Sequence, residues 1–199
     1  MHIDWTGNKQ STFSTLGARK YAKSPRVEND YYATEPKATQ VLLDVEKFSH
    51  KIWEPACGGG HMSEVLKRGG YYVVSTDLVD RGYGDAAGVD FLQQNETPVP
   101  NCDIITNPPY SFALEFAEHA MEILEDGHKL AMFLRLQFLE GKKRKQFFMK
   151  YPPVCVYVSS SRLNCGRNGV FDSKLNAMAY AWYVWRKEFS GDTIIRWVN

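Results

Sequence analysis

The sequence has few of the features that mark metal-binding, secreted or membrane proteins. Its four cysteines form no C-x-x-C pair, and no histidine stands at a ligand-like spacing from them. We therefore expect no metal site, and reduced thiols in a cytoplasmic protein. No apolar run approaches the roughly 20 residues of a membrane-spanning helix, and the segment Met1–Trp5 lacks the apolar core of a signal peptide. The formal net charge is +1, so any contact with nucleic acid must come from local basic patches.

The first 29 residues differ in composition from the rest of the chain. From Lys9 to Val27 there are five basic residues and no acidic one. We expect residues 1–29 to form a basic arm, which is either a solvated terminus or a phosphate-contacting segment. Residues 30–199 are expected to form one domain, since the chain is 44% hydrophobic and shows no internal repeat.

Strand-like and helix-like segments alternate along that domain. Apolar residues at helical spacing predict helices over residues 34–49, 62–67, 112–124 and 142–150. Runs rich in β-branched and aromatic residues predict strands over residues 51–54, 71–76, 103–106, 129–136, 154–159, 177–186 and 193–198. This alternation predicts an α/β fold with a doubly wound, mostly parallel sheet. We expect the last two strands to form an antiparallel hairpin.

Residues 107–110 read Asn-Pro-Pro-Tyr and directly follow a predicted buried strand. Each proline fixes its own φ and pushes the preceding residue into an extended conformation, so Asn107 and Pro108 have little backbone freedom. The amide oxygen of Asn107 and the carbonyl of Pro108 can therefore converge on one small target beside the flat ring of Tyr110. An NH2 group on a planar ring fits such a site.

Three further clusters lie at predicted strand ends or in loops, where sheets of this kind bind ligands. The loop Glu54–Gly60 ends in three glycines, which let the backbone approach a ligand closely, but it matches neither the dinucleotide pattern nor a phosphate loop. Asp77 can accept hydrogen bonds from ribose hydroxyls. Asp90 and Phe91 can bind the amino group and the ring face of an adenine. Each cluster also has a structural interpretation: a turn, a solvated acid, or a core phenylalanine.

Together these clusters resemble the class I S-adenosylmethionine-dependent methyltransferases, and within them the N6-adenine amino-methyltransferases. Glu54–Gly60 resembles the first cofactor motif of that family, Asp77 its ribose-binding acid, Asp90 and Phe91 its adenine-binding pair, and residues 107–110 its catalytic tetrad.

Residues 30–36 are similar to the segment that holds the methionine end of the cofactor in this family. Their position before the first motif matches the arrangement termed gamma. The resemblance covers about residues 28–186, and the compact length is similar to that of small methyltransferases of phages and prophages.

The resemblance implies S-adenosyl-L-methionine as cofactor and assigns roles to particular residues. The implied cofactor-binding residues are Tyr31, Tyr32, Ala33, Thr34, Glu54, Pro55, Ala56, Cys57, Gly58, Asp77, Leu78, Asp90, Phe91 and Asn107. The implied catalytic residues are Asn107, Pro108 and Tyr110. Tyr110 is also expected to form one wall of a pocket for a flipped base. Phe171 is the candidate for the second wall, or else a core residue, with Arg162 and Arg167 in the same loop as further substrate contacts.

The implied reaction is methyl transfer from the cofactor to the N6 amine of adenine in DNA, by base flipping and direct in-line transfer. Methylation of adenine in RNA is an alternative. Enzymes that methylate the glutamine amide of release factors share the tetrad, but they carry an N-terminal helical domain for which residues 1–29 are too short and polar. A non-enzymatic subunit that binds nucleic acid or a partner would predict a degraded tetrad or cofactor loop.

The chain leaves no room for a separate target-recognition domain. We therefore expect short or relaxed sequence specificity, with recognition by the basic arm, by the loops 78–101 and 159–177, or by a second subunit. The basic run Lys142–Lys145, with Lys150, is either a nucleic-acid contact or a solvated helix face. We expect DNA rather than RNA as the partner, no membrane association, and a monomer or dimer.

Overall fold

The computed structural model describes residues 31–167, 169, 171 and 178–199, so the predicted arm of residues 1–29 lies outside the described residues. The strands are β1 (Tyr32–Thr34), β2 (Lys51–Glu54), β3 (Tyr72–Asp77), β4 (Ala86–Ala87), β5 (Cys102–Thr106), β6 (Lys129–Arg135), β7 (Cys155–Ser159), β8 (Cys165–Arg167), β9 (Tyr180–Arg186) and β10 (Ile194–Val198). The helices are α1 (Pro36–Val45), α2 (His61–Arg68), α3 (Ala113–Ile123) and α4 (Lys142–Lys150). Short 3-10 helices cover Phe91–Gln93, Tyr110–Phe112 and Leu136–Leu139.

Eight strands form one sheet in the order β10-β7-β9-β6-β5-β2-β3-β4. All neighbours are parallel except β9, which runs antiparallel to both β6 and β7. The predicted α/β fold with a doubly wound, mostly parallel sheet and antiparallel strands near the C-terminus is therefore confirmed. Among the described residues, no helix has both the length and the apolar character needed to cross a membrane.

The predicted pairing of the last two strands with each other is wrong. β9 lies between β6 and β7, whereas β10 pairs in parallel with β7 at the edge of the sheet. Burial explains the difference. Six of the seven residues of β9 are buried, so this strand needs a neighbour on each side, while four of the five residues of β10 are exposed. An antiparallel hairpin of the two would have left β9 without one of its two central neighbours.

Two hydrophobic clusters fill the two faces of the sheet. Alternate residues of one strand point to opposite faces, so Ile104 of β5 belongs to the cluster under α3 and α4, and Ile105 belongs to the cluster under α1 and α2. Both side chains are fully buried. β5 is thereby clamped from both sides, which fixes the position of the residues that follow it.

The strand order reverses between β2 and β5. β2 continues toward β3 on one side and pairs with β5 on the other, and a crevice forms at the carboxyl ends of the strands at such a point. The loop after β2 begins at Pro55, and the segment after β5 begins at Asn107. A separate two-stranded sheet of β1 and β8, in which Thr34 pairs with Cys165, lies beside this crevice.

Candidate functional site

A cavity of about 800 Å³ opens at the carboxyl ends of β2, β3 and β5. Pockets of roughly 300–1,000 Å³ are typical of small-molecule sites. Most of the residues that the sequence assigned to a cofactor line this cavity, namely Tyr31, Tyr32, Ala33, Thr34, Glu54, Pro55, Ala56, Cys57, Asp77, Leu78, Asp90, Phe91 and Asn107. Tyr110 of the tetrad also lines it. Residues up to 79 positions apart in sequence are thus brought to one space, as the strand-end argument predicts.

The glycine loop after β2 packs closely against Tyr31. Gly58 has a φ of +55°, and a side chain there would collide with the Tyr31 ring. The backbone N–H of Gly58 donates to Asp77 Oδ2 at 2.7 Å, and the N–H of Gly59 donates to the Tyr31 hydroxyl at 2.9 Å. The guanidinium of Arg81 lies 4.2 Å from the centre of the Tyr31 ring. Glycine is favoured at position 58, because its φ strains other residues and a β-carbon would require the Tyr31 ring to move.

Asp77 is half-buried at the end of β3 and is oriented by the backbone around it. Its Oδ2 accepts from Gly58, and its Oδ1 accepts from the N–H of Val79 at 2.8 Å. A carboxylate has about four acceptor positions, so both oxygens keep capacity for hydroxyl donors of a ligand. The carboxylate is therefore held in place without being saturated.

Asp90 and Phe91 have different surroundings. Asp90 Oδ1 accepts from the N–H of Leu92 at 3.0 Å and so caps the short helix Phe91–Gln93. Phe91 is only 2% exposed, and its ring lies 5.1 Å from Trp53 and 4.7 Å from Phe116 between centroids. Phe91 thus packs in the core and also forms part of the cavity wall. Its contact with an adenine ring stays a prediction.

Glu54 is a buried acid at the end of β2. It is 2% exposed and accepts a hydrogen bond from the Ser63 hydroxyl, which in turn lies 2.6 Å from the Ser75 hydroxyl. Burial raises the pKa of Glu54 to about 8, against the lowering effect of the Ser63 hydrogen bond. The carboxyl is therefore mostly neutral at pH 7.

Asn107 is anchored by one end of its amide. Its Nδ2 donates to the Tyr32 carbonyl at 2.7 Å and to the Thr34 hydroxyl oxygen at 2.9 Å. The carbonyl can only accept, which identifies the end of the amide that faces β1 as the nitrogen. The other end, Oδ1, is buried and has no hydrogen-bond partner among the described residues. The adjacent Pro108 is also buried. The tetrad thus presents an oriented, unused acceptor at the cavity.

Tyr110 is enclosed by side chains from several elements. Its ring lies 5.4 Å from the Tyr32 ring, and the Arg135 guanidinium lies 4.6 Å from its centre. Its hydroxyl is 3.1 Å from Cys165 Sγ. Burial raises the pKa of Tyr110 well above its ordinary value, so the phenol stays neutral. The ring is a rigid wall of the cavity.

The three predicted substrate contacts in the 159–177 loop do not lie together at the tetrad. Phe171 is exposed, and its ring meets His61 edge-on at 5.4 Å, on the side of the cavity near the glycine loop. Arg162 is exposed and does not line the cavity. Arg167 pairs through its backbone with Tyr32. Phe171 is therefore not a core residue, but its ring partner is His61 rather than the tetrad.

The sequence reasoning missed Arg135 and Cys165. Arg135 ends β6, so the strand-end argument applied to every strand would have found it; its Nε is buried without a partner among the described residues. Cys165 Sγ lies 3.9 Å from Asn107 Nδ2 because β8 pairs with β1, and no local pattern indicates that pairing. Among the described residues, no group of three or more His, Cys, Asp or Glu side chains is placed to hold a metal ion.

Comparison with solved structures identifies proteins of the same fold. A protein described as a class I S-adenosylmethionine-dependent methyltransferase from Listeria monocytogenes has a TM-score of 0.59 and 14% identity, over 95% of this chain and 71% of that one. A protein described as an RNA methyltransferase from Pyrococcus horikoshii has a TM-score of 0.59 and 16% identity, over 92% and 99% of the two chains.

A third protein of the same fold, described as the modification subunit of a type I restriction enzyme from Vibrio vulnificus, has a TM-score of 0.55 and 14% identity. The match covers 92% of this chain and 49% of that one. No protein-family model and no curated protein sequence matches the chain. The structures thus share the fold of this chain at low sequence identity.

Proposed function

We propose that the protein transfers a methyl group from S-adenosylmethionine to the exocyclic N6 amine of adenine in DNA. The observation that carries this proposal is the amide of Asn107. Its nitrogen is fixed by Tyr32 and Thr34, and its buried Oδ1 has no partner among the described residues. A buried acceptor without a partner costs about 1–3 kcal/mol, and a donor from a substrate would remove that cost.

The residues around the cavity fit the proposed cofactor. Its volume of about 800 Å³ has room for a nucleoside-sized ligand beside the target base. The loop that follows β2 lines the cavity with Pro55, Ala56 and Cys57, while its glycines pack against Tyr31 and Tyr83. Asp77 keeps acceptor capacity for hydroxyls. When bound, the cofactor supplies an activated methyl group on its sulfonium. The proteins of the same fold that are described as S-adenosylmethionine-dependent support this assignment.

The tetrad would present the amine to that methyl group. An adenine amine is a poor nucleophile because its lone pair is delocalised into the ring. Asn107 Oδ1 and the Pro108 carbonyl would accept its two N–H groups, which favours a localised lone pair. These hydrogen bonds strengthen as positive charge develops on the nitrogen, so they stabilise the transition state more than the bound substrate.

No general base is needed at the tetrad. The amine nitrogen becomes cationic during transfer and can release its proton afterwards. Tyr110 stays neutral because burial raises its pKa, and Glu54 is itself a largely neutral buried acid whose pKa of about 8 suits it to hold a proton. The chemistry therefore depends on positioning and on the two acceptors.

Nucleic acid is the substrate class that the structure and its neighbours support best. Two proteins of the same fold are described as an RNA methyltransferase and as a subunit of a restriction enzyme. The choice of DNA rests on the resemblance of residues 107–110 to the tetrad of N6-adenine enzymes. Methylated RNA or a methylated glutamine amide would identify the alternative substrates.

The test is a transfer assay with S-adenosylmethionine labelled in its methyl group. Unmethylated DNA, unmethylated RNA and a release factor with its glutamine exposed are incubated separately with the protein. We expect label in DNA, and N6-methyladenine as the labelled nucleoside after digestion. Label in RNA alone or in protein alone would contradict DNA as the substrate, and label in none of the three would contradict the proposed activity.

A further inference from the structure

A second, smaller cavity adjoins the first. It has a volume of about 360 Å³ and shares Tyr110 and Ser111 with the main cavity. Its walls come from the start of α3 and from the start of α4. The two cavities are therefore neighbours that share Tyr110 and Ser111 as a common wall.

The wall from α4 is strongly basic. Lys142, Lys143 and Arg144 line the small cavity, and Glu115 of α3 is the acidic residue that faces them there. Both lysines are exposed, and no ion pair joins any of the three cations to a carboxylate within the described part of the chain. We call these three residues with their cavity the basic groove. Its net charge of +2, from three cations and one carboxylate, is large for so small a surface.

Arg144 is held in place within this groove. Its Nε donates to the Glu140 carbonyl, and its guanidinium carbon lies 5.3 Å from the centre of the Phe138 ring. A guanidinium that is already oriented loses little conformational freedom when it meets an anion. The groove therefore contains one preorganised cation and two lysines on flexible stems.

An exposed aromatic side chain of the main cavity follows directly in sequence on the two residues that both cavities share. Phe112 is 51% exposed although it lines the main cavity, and it follows Ser111, which both cavities share. Proteins that bind single strands of nucleic acid combine a positively charged groove with aromatic faces on which bases stack. Phe112, next in sequence to Ser111 of the small cavity, offers such an aromatic face near the basic groove.

We infer that the basic groove binds the phosphodiester backbone next to the target base, and that Phe112 stacks on a neighbouring base. The inference rests on the proposed function, because it takes the main cavity as the place of the target base. The adjacency of the two cavities at Tyr110 and Ser111 and the charge of the groove are the observations that support it. The strand that carries the flipped base would cross the Tyr110 wall and lay its phosphates against Lys142 and Lys143.

Lys150, which the sequence grouped with Lys142–Lys145, does not line the basic groove. α4 is nine residues long, so Lys150 lies about 12 Å along the helix from Lys142 at about 1.5 Å per residue. Lys150 ends α4, which leads from the carboxyl end of β6 toward the amino end of β7, so it lies at the edge of the sheet opposite the groove. Lys47 lies at that edge as well, where its carbonyl accepts from Lys129 at the start of β6. Lys47 and Lys150 are matched control positions for the two groove lysines.

Binding of fluorescein-labelled, adenine-containing oligonucleotides, measured by anisotropy over a range of salt concentrations, tests the inference without requiring turnover. We expect Lys142→Glu/Lys143→Glu to weaken binding about tenfold or more and to reduce the slope of log affinity against log salt. Two lost phosphate contacts reduce that slope by about 1.8 for a duplex and about 1.4 for a single strand. The control Lys47→Glu/Lys150→Glu has the same change in net charge and should leave the slope unchanged.

Phe112→Ala separates stacking from charge. Loss of one stacked base should weaken single-strand binding about fivefold or more, with the salt slope unchanged because no phosphate contact is lost. The inference is overturned if the groove variant binds like the wild type, or if the groove and control variants weaken binding equally, since net charge alone would then explain the effect.

The outcome for the groove is distinguishable from the outcome for the proposed function. A protein that methylates DNA but binds it independently of Lys142 and Lys143 contradicts the groove and retains the activity. A protein that shows groove-dependent oligonucleotide binding but transfers no methyl group contradicts the activity and retains the groove as a nucleic-acid site. Binding of the cofactor to the groove variant, by calorimetry, should equal that of the wild type.

Discussion

The polar side chains at the two ends of strand β5 differ in their hydrogen bonding. Near its amino end, Asp103 is 2% exposed and has hydrogen-bond partners on both oxygens: Oδ1 lies 3.0 Å from His128 Nδ1 and accepts from the N–H of Lys129 at 2.9 Å, while Oδ2 accepts from the N–H of Ser49 at 2.6 Å. Just beyond its carboxyl end, Asn107 keeps a buried Oδ1 without a partner among the described residues. The same strand therefore has a side chain with hydrogen-bond partners near one end, Asp103. Just beyond its other end lies a buried acceptor without a partner among the described residues, Asn107 Oδ1.

This difference distinguishes the amino-terminal edge of the sheet, which stabilises the fold, from the carboxyl-terminal edge, where we propose the functional site. The amino-terminal edge continues its network through Glu46, which accepts from Lys129 Nζ at 2.7 Å and from the Tyr157 hydroxyl at 2.8 Å. These partners lower the pKa of Glu46 despite its partial burial. A buried polar group with partners stabilises the fold, whereas one left open reduces stability unless a ligand satisfies it. The open acceptor of Asn107 therefore lies at the edge of the sheet where we propose the functional site.

The largest effect is expected from removing the open acceptor. Asn107→Ala should lower kcat by about 100-fold or more, because one of two acceptors for the developing positive charge is lost. The affinity for S-adenosylmethionine should fall much less than kcat, because Asn107 is only one of many residues that line the cofactor cavity. Steady-state kinetics and calorimetry measure the two quantities. A variant with wild-type kcat would contradict the proposed role of Asn107.

Near the amino end of β5, an alanine substitution at Asp103 should lower the stability of the fold rather than kcat. Asp103→Ala leaves the buried N–H groups of Ser49 and Lys129 without an acceptor and removes the partner of His128. We expect a loss of about 3 kcal/mol in the free energy of unfolding, measured by urea denaturation. The kcat of the fraction that remains folded should match the wild type; a large loss of kcat in fully folded protein would break the distinction between the two edges.

Glu54 gives a second comparison with Asp103, because it is a buried acid at the carboxyl-terminal edge of the sheet. Its pKa is raised to about 8 in the folded state from 4.5, so the folded protein keeps a proton that the unfolded chain releases. The contribution of Glu54 to stability should therefore be greatest below about pH 4.5 and be lost between about pH 4.5 and 8, by up to about 1.4 kcal/mol per pH unit. Glu54→Gln has no proton to lose, so urea denaturation of the variant should lack this component. Parallel pH profiles of the two proteins would contradict the raised pKa.

The smallest of these effects compares two glycines with positive φ at opposite edges. Gly58→Ala places a β-carbon against Tyr31, whereas the same change at Gly127, with a φ of +78°, meets nothing within 4 Å. Both should destabilise the protein by about 1 kcal/mol through the backbone. Only Gly58→Ala should also weaken binding of S-adenosylmethionine, by about tenfold in calorimetry, and equal affinities would show that the loop does not hold the cofactor.

Local patterns in the sequence predicted much of the site but not its surroundings. Asn107, Asp77 and the glycine loop each follow a strand with a clear hydrophobic pattern, and parallel strands bring their carboxyl ends to one edge. The β1–β8 pairing joins segments more than 100 residues apart, and it brings Cys165 to Tyr110, 55 positions away in sequence. No local pattern records either contact. The position of β10 also depends on competition between strands for the centre of the sheet, which burial decides and adjacency in sequence does not.

The most direct test of the central claim is the product formed by three proteins side by side. Wild type, Asn107→Ala and Asp103→Ala are incubated with unmethylated DNA and S-adenosylmethionine at a temperature where all three are folded, and the digested nucleosides are analysed. The account predicts N6-methyladenine from the wild type and from Asp103→Ala, and about 1% or less of that amount from Asn107→Ala. Equal N6-methyladenine from Asn107→Ala and the wild type would contradict the account.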